Sequence, residues 1–130
     1  MALTFACWGY DRTEALRSGE VKVEGFDIDY LDLYPREIFD RMGGTQEFAA
    51  SEFSFTEYTM HYARGGSPYV AIPVFPSRAF RHSFIFLNRH AGIETPKDLE
   101  GKRVGLPIYT MTAALWQRGM LHDEYGVDWH

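Results

Sequence analysis

Ala71-Ile72-Pro73-Val74-Phe75-Pro76-Ser77-Arg78-Ala79-Phe80-Arg81-His82-Ser83 stands between two apolar, strand-like runs near the middle of the chain and puts Arg78, Arg81 and His82 within five residues. Pro73 and Pro76 each fix φ and remove a backbone donor, and each restricts the residue before it. The stretch therefore reads as a rigid, extended connection whose exposed side chains keep fixed directions. Such a connection aims cations at an acceptor, and the acceptor expected here is a small anionic ligand held between two lobes.

Upstream, strands and helices alternate. Residues 3–8 read as a fully buried strand that ends at Gly9, after which Asp11 or Thr13 can cap a short helix through Arg17, closed by Ser18-Gly19. Val21 to Gly25 is a polar turn. Phe26-Asp27-Ile28-Asp29-Tyr30 then alternates apolar and acidic residues before Leu31-Asp32-Leu33, the pattern of a half-exposed strand with Asp27 and Asp29 on its solvated face. Pro35 suits a first helical position, the helix over 36–42 turns Ile38, Phe39 and Met42 to a core, and Gly43-Gly44 ends it. Phe48-Ala49-Ala50 reads as a third strand with Ser51 and Glu52 beyond its carboxyl end. Ser54 and Glu57 have the spacing of a capping box for a helix that runs to about Arg64, before Gly65-Gly66. Residues 69–75 and 83–88 read as fourth and fifth strands on either side of the cationic connection.

Downstream the texture changes. Thr95-Pro96-Lys97-Asp98-Leu99-Glu100-Gly101 has an N-cap, a proline at the first helical position and a terminating glycine, which makes one helical turn before a strand at 103–106. A loop over 107–112 leads into a helix from Ala113 to about Tyr125, stopped by Gly126, with Trp116 and Met120 at core spacing. The class is α/β. A lone strand-helix unit after the crossover cannot bury both of its faces, so the chain is expected to be part of a longer polypeptide.

Composition narrows the function. The chain has 130 residues, of which 45% are hydrophobic and 24% charged, ordinary values for a globular domain. Its aromatic share of 16% points to an aromatic core or an aromatic-lined cleft. Eighteen acidic against thirteen basic residues, a formal charge of −5 and no basic run argue against nucleic acid as a partner. No apolar run approaches the roughly 20 residues of a membrane span, so no membrane partner is expected. The chain opens on Met1 and enters strand pattern without a cationic and apolar leader, from which a cytoplasmic location is expected, or a periplasmic one if the true start lies upstream. Cys7, the single cysteine, reads as a buried core thiol. The five histidines form no metal-ligand spacing, and no phosphate-binding glycine loop or nucleophile elbow is present. No cofactor and no metal are predicted.

Polar residues gather instead at the carboxyl ends of successive predicted strands. They are Tyr10, Arg12 and their neighbours after the first, Ser51 and Glu52 after the third, Arg78, Arg81 and His82 after the fourth, and Tyr109, Thr110 and Thr112 after the strand at 103–106. In parallel sheets those edges face one crevice. Arginine suits a planar, bidentate grip on a carboxylate, and the helix N-terminus near Thr112 adds unpaired backbone donors, so a dicarboxylic or aromatic acid fits. Each residue also has a plain structural reading. Arg12 can be a solvated helix residue, Arg78 or Arg81 the partner of a surface acid, His82 an ordinary strand-edge histidine, and Glu52 the counter-charge of a nearby arginine.

Gly9-Tyr10-Asp11-Arg12-Thr13, Ala50-Ser51-Glu52-Phe53-Ser54, the 72–83 stretch, Asp98-Leu99-Glu100-Gly101-Lys102-Arg103-Val104-Gly105, and Met111-Thr112-Ala113 with Trp116-Gln117-Arg118-Gly119 resemble the 4,5-dihydroxyphthalate decarboxylase family across the whole chain. The P-V-F-P-S-R-x-F-R-H-S stretch is the specific part, whereas D-L-x-G-K-x-V-G recurs throughout type 2 periplasmic-binding-protein folds. The resemblance implies two α/β lobes with a ligand crevice between them. It makes residues 1–88 the first lobe with its crossover, and 89–130 the truncated beginning of the second.

The chemistry it implies is non-oxidative loss of CO2 from a hydroxylated aromatic dicarboxylic acid. In that scheme His82 or Glu52 supplies a proton, Arg78 and Arg81 hold carboxylates, and Tyr10, Arg12 and Tyr109 line the ring and hydroxyls, with Ser51, Thr110 and Thr112 as further ligand contacts. The competing reading keeps the crevice and drops the chemistry: a solute-binding protein that captures an aromatic or dicarboxylic acid for an importer. That reading expects an export signal or a lipoprotein cysteine near the start, and Cys7 is not preceded by an apolar run of that kind in this sequence.

Overall fold

The computed structural model describes residues 1–129. They form two compact units, one of Met1–Ser54 with Ser67–Arg78, the other of Phe55–Gly66 with the chain from Ala79 on.

The first unit is built on a three-stranded parallel sheet in the order β2-β1-β3, with β1 Ala2–Ala6, β2 Asp27–Leu31 and β3 Ala50–Ser51. β1 is central because it is the most apolar of the three. Its register pairs Leu3 with Ile28, Phe5 with Tyr30 and Ala6 with Leu31 on one side, and Phe5 with Ala50 and Ala6 with Ser51 on the other. The period-two alternation of β2 survives as written, with Asp27 and Asp29 exposed and Ile28 and Tyr30 half-buried. Phe5 meets Tyr30 edge to face at 5.3 Å between ring centroids.

A turn of 3-10 helix at Asp11–Thr13 and a short helix α1, Glu14–Arg17, connect β1 to β2. Helix α2, Pro35–Gly44, connects β2 to β3, and Pro35 occupies its first turn, where its missing N–H costs nothing. Ile38 is fully buried with Ala6 and Phe48, and Leu31, Leu33, Phe39 and Met42 close around them. The outer face of α2 carries the spaced pairs Arg36–Asp40 and Glu37–Arg41, and Arg41 also reaches Glu47 and lies over the Phe48 ring.

In the second unit, α3 (Phe55–Ala63) and α4 (Thr112–Tyr125) accompany turns of 3-10 helix at His82–Phe84 and Pro96–Leu99. The Thr95 turn forms as the sequence predicts. Asp98 accepts from the Thr95 N–H at 2.8 Å and the Thr95 hydroxyl at 3.0 Å, which holds its carboxyl below the ordinary range. Lys97 ties this turn to the end of α4 through the Gly126 carbonyl at 2.6 Å, and Gly126 takes the left-handed conformation (φ +64°) that stops the helix. No helix among the described residues is long and apolar enough to cross a membrane.

Several expectations need correction. The first strand is half-buried rather than fully buried, because one short sheet covers it incompletely. Residues 69–75, 83–88 and 103–106 form no strands; a strand requires a neighbour to take its backbone groups, and no ladder partner lies beside these segments among the described residues. Their apolar side chains are correspondingly open, with Val70 91% and Phe86 88% exposed. Among the described residues the aromatic surplus is not a core, since Phe48 is the one aromatic side chain among their buried hydrophobics. Trp116, expected inside, is 55% exposed on α4.

Candidate functional site

The order β2-β1-β3 fixes where the chemistry gathers. The chain leaves β1 to one side for β2 and returns to the other side for β3, so the carboxyl ends of β1 and β3 form a switch point with a crevice beyond them, the usual ligand position in an open parallel sheet. Trp8 to Arg12 follow β1, and Glu52 follows β3.

Past Ala6 the backbone of β1 keeps pairing for one residue on each side, with Cys7 N–H donating to the Leu31 carbonyl at 3.2 Å and Glu52 N–H to the Ala6 carbonyl at 3.0 Å. The next two amides of β1 find carboxylates. Trp8 N–H donates to Glu52 Oε1 at 2.8 Å, and Gly9 N–H donates to Asp32 Oδ1 at 2.9 Å. Residues from the two flanking strands thus clamp successive amides of the central one. The other oxygen of Glu52 accepts from the Tyr10 hydroxyl at 3.0 Å, and Glu52 as a whole is only 7% exposed. Gly9 belongs here on steric grounds, since a Cβ at that position would sit 3.1 Å from Asp32 Oδ2.

The electrostatics follow from burial and from Glu52. Burial first, and the charge of Glu52 second, push the Tyr10 phenol up to about 12, against an opposing hydrogen bond with Ser77. The same two causes push the Cys7 thiol up to about 11, and burial raises Tyr30 to about 12. Tyr10 is therefore a fully protonated donor at neutral pH, and Cys7 is the buried, inert thiol its apolar surroundings predict.

Residues 76–78 return to this place. Arg12 donates from Nη1 to the Pro76 carbonyl, pairs with Asp11 at 3.2 Å and lies 5.4 Å from the centre of the Tyr10 ring. Ser77 reaches Tyr10, and Arg78, exposed, folds its Nε onto the Phe75 carbonyl at 3.1 Å. Ser51 ends β3 with a buried hydroxyl that has no hydrogen-bond partner among the described residues. Five of the residues singled out from the sequence, Tyr10, Arg12, Ser51, Glu52 and Arg78, lie in this first unit.

The other five lie in the second unit. Arg81 covers the Phe84 ring at 5.3 Å. His82 opens a turn and its Nε2 meets Glu124 Oε2 at 3.0 Å, both side chains about half exposed. An apolar recess of about 200 Å³ beside it is lined by His82, Ile85, Leu87, Leu99, Met120 and Tyr125. Tyr109 is exposed under Arg118, whose guanidinium lies 4.2 Å from the ring centre and donates to the Tyr109 carbonyl at 3.3 Å. Thr110 is half-buried in the preceding turn. Thr112 begins α4, and its hydroxyl accepts the Thr56 N–H at 3.3 Å.

Sequence reasoning passed over Trp8, Asp32 and Ser77. Asp32 was legible as the first acid after the alternation of β2 ends, and Ser77 as the one hydroxyl between Pro76 and Arg78. Trp8 was absorbed into the apolar run of the first strand, two residues past where that strand stops.

No family model matches the chain. Two curated relatives do. The chain is 44% identical over 127 residues to a 4,5-dihydroxyphthalate decarboxylase of Comamonas testosteroni, a match that covers 98% of this chain and 38% of the relative. It is 42% identical over 125 residues to a 4,5-dihydroxyphthalate decarboxylase of Pseudomonas putida, covering 96% of this chain and 48% of that protein. The chain spans less than half the length of either relative. With near-complete coverage at this identity, the chain is homologous to 4,5-dihydroxyphthalate decarboxylases along a stretch that is less than half of either relative.

Proposed function

We infer that the protein is a carboxy-lyase that releases CO2, without oxidation, from a hydroxylated aromatic dicarboxylic acid such as 4,5-dihydroxyphthalate. The observation that carries this reading is identity above 40% to two proteins of that name along nearly all of the chain. The pair of buried Glu52 and half-buried Tyr10 at the β1/β3 switch point supports it from the side of the structure. The names of both relatives favour decarboxylation over solute capture for an importer.

The reaction requires a proton at the ring carbon that bears the departing carboxylate. Once that carbon is protonated, its bond to the carboxylate breaks, CO2 leaves, and the bonding pair restores the aromatic ring. One proton is consumed for each CO2 released, and solvent returns it to the donor. Electron-rich hydroxyls on the ring stabilise the cationic intermediate. In this proposal Glu52 or His82 is the general acid, Arg78 and Arg81 grip the two carboxylates, and Tyr10, Arg12, Ser51, Tyr109, Thr110 and Thr112 line the ring and its hydroxyls. Residues 1–88 are the first lobe of a fold like the type 2 periplasmic binding proteins, and residues from 89 on begin the second. The parallel β2-β1-β3 sheet agrees with the first of these lobes.

The test is direct. The full-length protein is incubated with 4,5-dihydroxyphthalate in the absence of any oxidant, and CO2 and 3,4-dihydroxybenzoate are measured. Equimolar appearance of both is expected, and their absence from a folded preparation that binds the acid would leave only a binding function.

A further inference from the structure

The aromatic side chains at the switch point carry more than the site so far described uses. Trp8 is 44% exposed and Tyr34 is 64% exposed, and they lie two and three residues beyond β1 and β2 respectively. Trp8 stands edge to face with Tyr10 at 5.7 Å and with Tyr34 at 5.5 Å, with interplanar angles of 65° and 63°. The three rings form one cluster over the carboxyl ends of β1 and β2. The backbone under it is held rather than loose, because the Trp8 amide is bound by Glu52 and the Gly9 amide by Asp32. The cluster has a cation on one side, Arg12 over Tyr10, and a buried carboxylate, Glu52, beneath it.

We propose that Trp8 and Tyr34 form the wall against which the aromatic ring of the ligand stacks, beside Tyr10 and Arg12, so that this wall selects an aromatic over a saturated diacid. The inference rests on the reading of the protein as acting on an aromatic dicarboxylic acid and adds the residues that recognise its ring. A ring held by edge-to-face neighbours keeps its own face free for a ligand ring, and the adjacent guanidinium matches the ligand's negative charge. Phe80 and Phe86, by contrast, are 87% and 88% exposed.

The test uses two acids of equal charge and similar size, the flat phthalate and the puckered cis-cyclohexane-1,2-dicarboxylate, titrated calorimetrically into the full-length protein. Neither carries the hydroxyls that the reaction needs. The wild type is expected to prefer phthalate by about tenfold, the worth of one or two aromatic contacts. Tyr34→Ala and Trp8→Ala bring that ratio toward one while affinity for the saturated acid stays within about twofold, and Trp8→Phe keeps the preference. A variant that merely loosened the fold would weaken both acids together and leave the ratio, and Tyr34, open at the start of α2, can be truncated without opening the core. A wild-type preference that both alanine variants retain overturns the wall and leaves the decarboxylase reading standing. A folded wild type that neither binds phthalate nor turns over 4,5-dihydroxyphthalate overturns that reading and the wall with it.

Discussion

Glu52 is the keystone of the first unit, and removing it has consequences that can be worked from its contacts. Its two oxygens accept from the Trp8 amide at 2.8 Å and the Tyr10 hydroxyl at 3.0 Å. Glu52→Ala strands both donors. The Tyr10 hydroxyl can rotate toward Ser77 or water, but the Trp8 amide cannot move without breaking the end of β1, so the loss is about 2–3 kcal/mol, the cost of a buried donor left unmade plus one charge-assisted bond. Glu52→Gln keeps the shape: its oxygen serves Trp8 and its amide faces Tyr10, which turns from donor to acceptor. Only the charge assistance is lost, about 1 kcal/mol. Urea unfolding of both variants reads these numbers as midpoint shifts at unchanged slope. The second readout is the tyrosine titration by ultraviolet absorbance, with Tyr10→Phe as the subtraction blank. Because the charge of Glu52 helps to hold the Tyr10 phenol up near 12, Glu52→Gln moves it down toward its ordinary value of 10. Full stability of Glu52→Ala, together with an unmoved Tyr10 titration, would refute the reasoning that Glu52 organises this edge.

Other outcomes follow from single contacts. Ile38→Ala empties the centre of the small core beneath α2 and is expected to cost about 2–5 kcal/mol in urea unfolding. Alkaline titration should destabilise the fold: Cys7, Tyr10 and Tyr30 keep their protons to higher pH folded than unfolded, so stability present below about 9 is lost as pH rises toward about 12. A group of this kind lowers stability by about 1.4 kcal/mol per pH unit between its two pKa values, which chemical denaturation at stepped pH measures. Gly9→Ala forces the Asp32 carboxylate aside and costs about 1 kcal/mol through the Gly9 amide bond, a loss that Asp32→Ala, which removes the acceptor, should largely share. His82→Gln separates the two candidate proton donors: kcat falling by at least about a hundredfold with KM little changed assigns the proton to His82, and turnover left intact leaves it with Glu52.

Local signals in the sequence that depend on neighbours a few residues away were faithful. Pro35 opened α2, Ile38, Phe39 and Met42 faced the core, Gly126 stopped α4, and Thr95 with Asp98 built a capped turn. The signals that failed depend on distant partners. Val70, Ile72 and Val74 have strand composition, but composition supplies no ladder, and without one the segment stays irregular and open, with Val74 N–H turned back onto the Ile72 carbonyl. Trp116 has core spacing on a helix whose described surroundings do not cover it. At the site, the polar residues following each strand were legible because strand ends are read from where apolar runs stop. The pairing of Tyr10 with Glu52 over 42 positions of sequence, and the return of Pro76 and Ser77 to Arg12 and Tyr10, were not, since each is set by the order of strands in the sheet.

The central claim of the proposed function is that the full-length protein breaks a carbon–carbon bond rather than only holding an acid. The measurement that tests it most directly is turnover of 4,5-dihydroxyphthalate by the full-length protein in D2O, with CO2 quantified and the product examined by proton NMR and mass spectrometry. The account predicts one CO2 per molecule consumed and one deuterium at the vacated ring carbon. Saturable binding of the acid by folded protein, with no CO2 and no deuterium in the ring, would contradict it.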